Sequence, residues 1–149
     1  MSGGRATIGL RSGKVRSAQA GDITGIDPMA ARLLNHVSVE CKSYEDLHLF
    51  RGVTNDTGRL HDFWEEHREK SSKFSKAPML IARQNGIPTV CLVPCAALMP
   101  LFGLADDCVS ATLPRWGCHV VLFEAFLREA RVPELESVTI NRGRVYLSA

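Results

Sequence analysis

Apolar and polar positions along the chain change period several times, and each change marks an element. From His36 to Lys42 (HVSVECK) the alternation is strict. Val37, Val39 and Cys41 fall on one face and Ser38, Glu40 and Lys42 on the other, which predicts a half-buried strand. Upstream, the stretch from Ser17 to Ile26, containing Ala20-Gly21-Asp22-Ile23-Thr24, reads as a strand ended by a turn at Asp27-Pro28. Asn55, Asp56 and Thr57 offer N-cap oxygens, after which the period lengthens. Leu60, Phe63, Trp64 and Phe74 follow helical spacing, His67 and Ser71 fill the same stripe, and Asp62, Glu65, Glu66, Glu69 and Lys73 take the outer face. This predicts a helix over about residues 58–74. Pro78 introduces an apolar strand from Met79 to Ala82, Asn85-Gly86 turns the chain, and Thr89 to Val93 is a second apolar run. Further on, Cys118 to Phe123 suits a strand or the start of a buried helix, Glu124 to Arg131 is helical in character, and Val138 to Leu147 suits a terminal hairpin. Strands, a helix and more strands predict an α/β or α+β fold, a central mixed β-sheet flanked by helices.

Composition adds bounds. A chain of 149 residues is expected to form one domain, with a basic arm over residues 1–19 and a C-terminal extension over 94–149 whose structure no motif decides. The net charge of +2 is too small to announce a nucleic-acid partner, but its distribution says more. Arg5, Arg11, Lys14 and Arg16 precede the first acidic residue, Asp22. Such an arm suits a phosphate backbone; it equally suits a solvated terminus. The first twenty residues lack the apolar run of a secretory signal, so a cytoplasmic protein is expected. Gly86 to Ala105 is uncharged, yet Pro88, Pro94 and Pro100 interrupt it. A buried strand with a short loop or helix fits it better than a membrane span, and no membrane partner is expected. The five cysteines are odd in number and sit in apolar company, which favours buried, reduced thiols. A zinc site from Cys91, Cys95, Cys108, Cys118 and His119 is the competing reading, although the spacing lacks paired knuckles.

The chemistry concentrates in Asp22, seventeen intervening residues, then Glu40-Cys41-Lys42. Residues two apart on a strand share a face, so Glu40 and Lys42 project together. If the Asp22 segment pairs beside that strand, its carboxylate reaches the same side. Two converging carboxylates are hard oxygen ligands of the kind Mg²⁺ takes. A neighbouring ammonium can orient a water and offset charge building at phosphorus. Taken alone, a surface Glu-x-Lys pair on a strand is also common.

These residues, Gly21-Asp22-Ile23 and then Val39-Glu40-Cys41-Lys42, resemble motifs II and III of the PD-(D/E)xK nuclease superfamily. The wider set adds Phe63-Trp64 and the run Pro78-Met-Leu-Ile-Ala-Arg-Gln-Asn85. Over roughly residues 2–93 it is similar to phage-encoded members related to Holliday-junction resolvases. The resemblance implies a restriction-endonuclease-like fold and Mg²⁺- or Mn²⁺-dependent endonuclease activity on DNA, with branched DNA as a substrate class. It implies Asp22 and Glu40 as metal ligands with the Cys41 backbone carbonyl as a third, and Lys42 as the electrostatic and water-positioning group. It also implies a homodimer, since two cuts need two sites. One departure stands out: superfamily members begin with a helix that often carries a further acid, and nothing before Asp22 matches it, so that helix is expected to be missing. The helix after the Glu-x-Lys strand often lends a polar residue in this superfamily, and His61, Lys70 and Lys73 are available. Arg83 and Gln84 suit a phosphate contact or a strand end, Asp27 a second acid or a local turn, and His36 a strand start. Trp64 suits the core, and Glu45 and Asp46 a loop. The competing function is a catalytically inactive nuclease-fold module that binds DNA or a protein.

Overall fold

The computed structural model describes residues 33–46, 58–131, 137–141 and 144–148. The strand expected over residues 17–26, the basic arm, the expected lack of a first helix and the Asn55-Asp56-Thr57 cap all lie outside them.

The alternating segment is β1, Val37–Tyr44, and it enters directly from a helical turn over residues 33–36. It differs from the expected half-buried strand. Val37, Ser38 and Val39 are all buried, because both sheet faces are covered at this end, while Cys41 on the apolar-patterned face is exposed. Helix α1, Arg59–Ser72, follows. It buries Leu60, Trp64, His67 and Ser71, so the stripe runs as expected, but it stops before Phe74, in a turn where Ser75 adopts a positive φ of 53°. Its N-cap is Gly58, with no side-chain cap.

Strand β2, Ala77–Gln84, returns parallel to β1, and α1 is the crossover that a parallel pair requires. Pro78 lies inside β2, not ahead of it. Gly86, at φ 76°, turns the chain into β3, Ile87–Pro94, antiparallel to β2. A short turn over Cys95–Ala97 leads into α2, Leu98–Phe102, and a second turn over Asp106–Cys108 into β4, Val109–Leu113. Strand β5, Cys118–Leu122, settles the ambiguous segment as a strand, and α3, Phe123–Glu129, begins one residue and ends two residues before the expected bounds. The sheet order is β1-β2-β3-β5-β4. A separate hairpin joins β6, Ser137–Asn141, to β7, Arg144–Ser148.

The two faces of the sheet carry separate cores. On one, Val37, Val39, Met79, Cys91, Val93 and Val121 pack with Leu98, Leu101 and Phe102 of α2 and Phe126 of α3. On the other, Leu60 and Trp64 of α1 pack with Leu80, Leu92, Val120 and Trp116. The Trp64 indole N–H donates to the Trp116 carbonyl at 3.0 Å, tying α1 across the sheet. This is the mixed, helix-flanked sheet that the pattern and the resemblance imply. Among the described residues no helix is long and apolar enough to cross a membrane.

Candidate active site

Strand period two sends Ser38, Glu40 and Lys42 to the face that α1 covers. In the register, Glu40 lies opposite Leu80, and Leu80 in turn opposite Leu92. The carboxylate therefore sits at the β1 margin of an apolar row, under the helix.

Three groups meet there. Lys42 Nζ lies 2.7 Å from Glu40 Oε1. From α1, His67 brings Nδ1 to 3.1 Å from Glu40 Oε2, while its Nε2 lies 2.7 Å from the Ser38 carbonyl. A carbonyl only accepts, so Nε2 carries a proton and donates to it. The imidazole is thus pinned between the backbone of β1 and the carboxylate two residues on. It is 1% exposed, Glu40 13% and Lys42 24%. The His67 ring holds the Glu40 carboxyl down from its ordinary 4.5 to about 2, with Lys42 adding to the effect, against the upward push of burial. Glu40 is an anion at any physiological pH. Each of its oxygens has a further lone pair beyond these contacts.

The sequence-expected residues divide as follows. Glu40 and Lys42 converge, and the Cys41 backbone lies between them on β1. Asp22, Asp27 and the arm residues Arg5, Arg11, Lys14 and Arg16 lie outside the described residues. Of the helix candidates, none of the three makes the direct contact. His61 packs edge-on against Trp116, Lys70 pairs with Glu66 at 3.0 Å, and Lys73 points along the outer face toward Glu69. The helix residue that reaches the carboxylate is His67. Its signal was its place in the buried stripe between Trp64 and Ser71, because a titratable ring enclosed there needs polar partners. Arg83 and Gln84 end β2 opposite Ser43 and Tyr44, and Arg83 is exposed.

The zinc reading fails on placement. Cys91 belongs to one core and Cys118 to the other, on opposite faces of the sheet. None of the five cysteines is in a disulfide, and among the described residues no three His, Cys, Asp or Glu side chains gather as a metal group. Burial pushes the Cys91 thiol up to about 12 and Cys118 upward as well, so these are inert core sulfurs.

Comparison with family models gives one match that bears on this geometry. Residues 6–105 match the family described as phage putative PDDEXK endonuclease. The chain belongs to that family. The matched segment holds β1, α1, β2 and β3, and with them Glu40, Lys42 and His67. Comparison with curated proteins and with solved structures gives no match. As a phage PDDEXK endonuclease family member the chain is a nuclease of the PD-(D/E)xK superfamily, whose members typically use divalent metal ions.

Proposed function

We propose that this family member is a Mg²⁺- or Mn²⁺-dependent endonuclease that hydrolyses phosphodiester bonds in DNA, with Glu40 and Lys42 at the centre of its active site and branched DNA as the substrate class. The observation that carries the reading is the 2.7 Å pairing of Glu40 with Lys42 on one face of β1, inside the family match. The donor set suits a hard divalent ion. Glu40 offers an ionised carboxylate at a partly exposed position, and the Cys41 carbonyl is a further oxygen on the same strand. Among the described residues β1 hydrogen-bonds to one neighbour, β2. Its other margin is where a strand carrying Asp22 would add a second carboxylate.

When bound, a divalent ion supplies Lewis-acid stabilisation of the charge that builds at phosphorus. The chain's own groups do the rest. Lys42 carries a fixed positive charge beside the carboxylate, where it orients a water for in-line attack and offsets developing charge on the phosphoryl oxygens. His67 meets the Glu40 carboxylate from the buried side, and each carboxylate oxygen keeps a further lone pair for an ion. The arm residues Arg5, Arg11, Lys14 and Arg16 contact phosphates along the duplex. Cutting both strands of a branch takes two such sites, and hence a homodimer.

The test is cleavage of supercoiled plasmid and of a four-way junction by purified protein with Mg²⁺. Wild type is expected to cleave, while Glu40→Gln and Lys42→Ala lose on the order of 10²–10³ in rate. Equal cleavage by wild type and both variants would refute the assignment. DNA binding without cleavage by wild type would leave a binding module in its place.

A further inference from the structure

Beyond Lys42 the same face of β1 continues to Tyr44, where side chains of two elements interleave. The Tyr44 ring stacks on Phe63 of α1, with centroids 5.4 Å apart and planes at 23°. The Arg59 guanidinium lies 5.1 Å from the Tyr44 ring centroid, and Lys42 Nζ lies 4.8 Å from that of Phe63. Arg59, Tyr44, Phe63 and Lys42 therefore form one continuous row, and its inner end is the ammonium paired with Glu40. Two residues along a strand advance about 6.7 Å, roughly the rise of two stacked base steps. The outer end of the row thus lies a nucleotide or two from a phosphate held at Glu40 and Lys42.

Folding alone does not account for the outer end. Tyr44 is 38% exposed, one of four large apolar side chains left open among the described residues. Arg59 is exposed, and its contact among the described residues is the Tyr44 ring, with no ion pair. It also sits in the first turn of α1, where the helix dipole disfavours a cation. A partly exposed aromatic stack topped by a guanidinium plane that makes no ion pair among the described residues, beside a phosphodiester site, matches the two halves of a nucleotide.

We propose that Arg59, Tyr44 and Phe63 form a stacking platform for an unpaired nucleobase next to the cleaved phosphate, so that among branched DNAs the chain prefers one carrying a single-stranded arm. The proposal rests on the nuclease reading of Glu40 and Lys42. Aromatic rings and guanidinium planes take bases by stacking, whatever their identity. A base inside a duplex has both faces covered by its neighbours, so the platform serves only an unpaired one. The Arg59 charge then faces the adjoining phosphate.

The experiment uses the full chain and two DNAs of one sequence, a forked duplex and its fully paired counterpart. The first unpaired nucleotide of the fork is 2-aminopurine, whose emission falls when it stacks. Binding is read in a chelator, and cleavage separately with Mg²⁺. Wild type is expected to quench the probe and to bind the fork about tenfold tighter than the duplex. Tyr44→Leu, which keeps an apolar cover on Phe63, should lose that preference and the quench while holding its duplex affinity. Tyr44→Trp should keep both, and Arg59→Ala should weaken fork binding. Unchanged probe emission at saturating wild-type protein overturns the platform, as does full fork preference in Tyr44→Leu. Quenching by wild type with no cleavage of either DNA would overturn the nuclease reading and leave the platform standing.

Discussion

Glu40 takes one contact from its own strand and one from the helix above, and the two fail differently when removed. The Glu40 carboxyl is held well below its unfolded value, so its ionised form stabilises the fold above about pH 4.5 and that stability is lost as pH falls toward 2. In metal-free protein, the stability gap between wild type and Glu40→Gln should be widest near neutrality and shrink between pH 5 and pH 2, read by urea denaturation. A pH-independent gap would mean that the pairing contributes nothing. His67 meets two groups, the Ser38 carbonyl by a hydrogen bond from Nε2 and the Glu40 carboxylate at 3.1 Å from Nδ1, and two substitutions separate them. Asn at this position keeps a donor near the Nδ1 position, toward Glu40; Gln keeps one near Nε2, toward the Ser38 carbonyl. His67→Ala, which removes the ring from both the Ser38 carbonyl and the Glu40 carboxylate, should cost about 1–3 kcal/mol. If His67 acts on the site, His67→Asn recovers more cleavage than His67→Gln at matched stability. The reverse order would make it a packing residue. At this scale the sequence was legible where strand alternation decides direction, as for Glu40 and Lys42. His67 is not legible there because it lies among core residues, and a helical stripe does not tell which enclosed polar group faces a carboxylate on another element.

Elements followed their patterns in the middle and departed at their ends. Helix α1 carries the expected stripe, yet it begins at an uncapped Gly58 and stops at Ser72, because Ser71 and Ser72 carbonyls accept from the turn that aims the chain into β2. The segment over 95–108 shows why the C-terminal half was opaque. Its short helix α2 is closed by Gly103 at φ 61°, whose N–H donates to Met99 while Leu104 N–H reaches back to Leu98. Five helical residues are too few to show a period, and the glycine's neighbour in space, Arg131, is remote in sequence. A β-carbon on Gly103 would sit 2.7 Å from the Arg131 carbonyl, whereas one on Gly86 would meet open space. Both positions have positive φ, which costs an alanine about 1–2 kcal/mol. Thermal denaturation should therefore show Gly103→Ala clearly more destabilised than Gly86→Ala, with equal losses contradicting the close approach of α2 to the end of α3.

At the scale of the whole molecule, one sheet serves both halves of the chain. Strands β4 and β5 complete the sheet that β1 begins, so the motif-poor region beyond Pro94 builds the support under the site. The two cores separate functions as well. One seats α2 and α3, while the other presses α1 down and so positions His67, Phe63 and Arg59 over β1. Long-range charge belongs to this scale too. Replacing Arg5, Arg11, Lys14 and Arg16 together by Gln should lower the steepness of log affinity for duplex DNA against log salt by about three to four. An unchanged slope would place the arm away from the DNA. In the proposed site, oxygens from Asp22 and Glu40 share one divalent ion beside Lys42. Calorimetric titration of Mn²⁺ into the full chain tests it most directly. One site per chain is predicted, weakened at least tenfold in Asp22→Asn and in Glu40→Gln alike. An Asp22→Asn protein that binds Mn²⁺ as wild type does would rule out a shared ion.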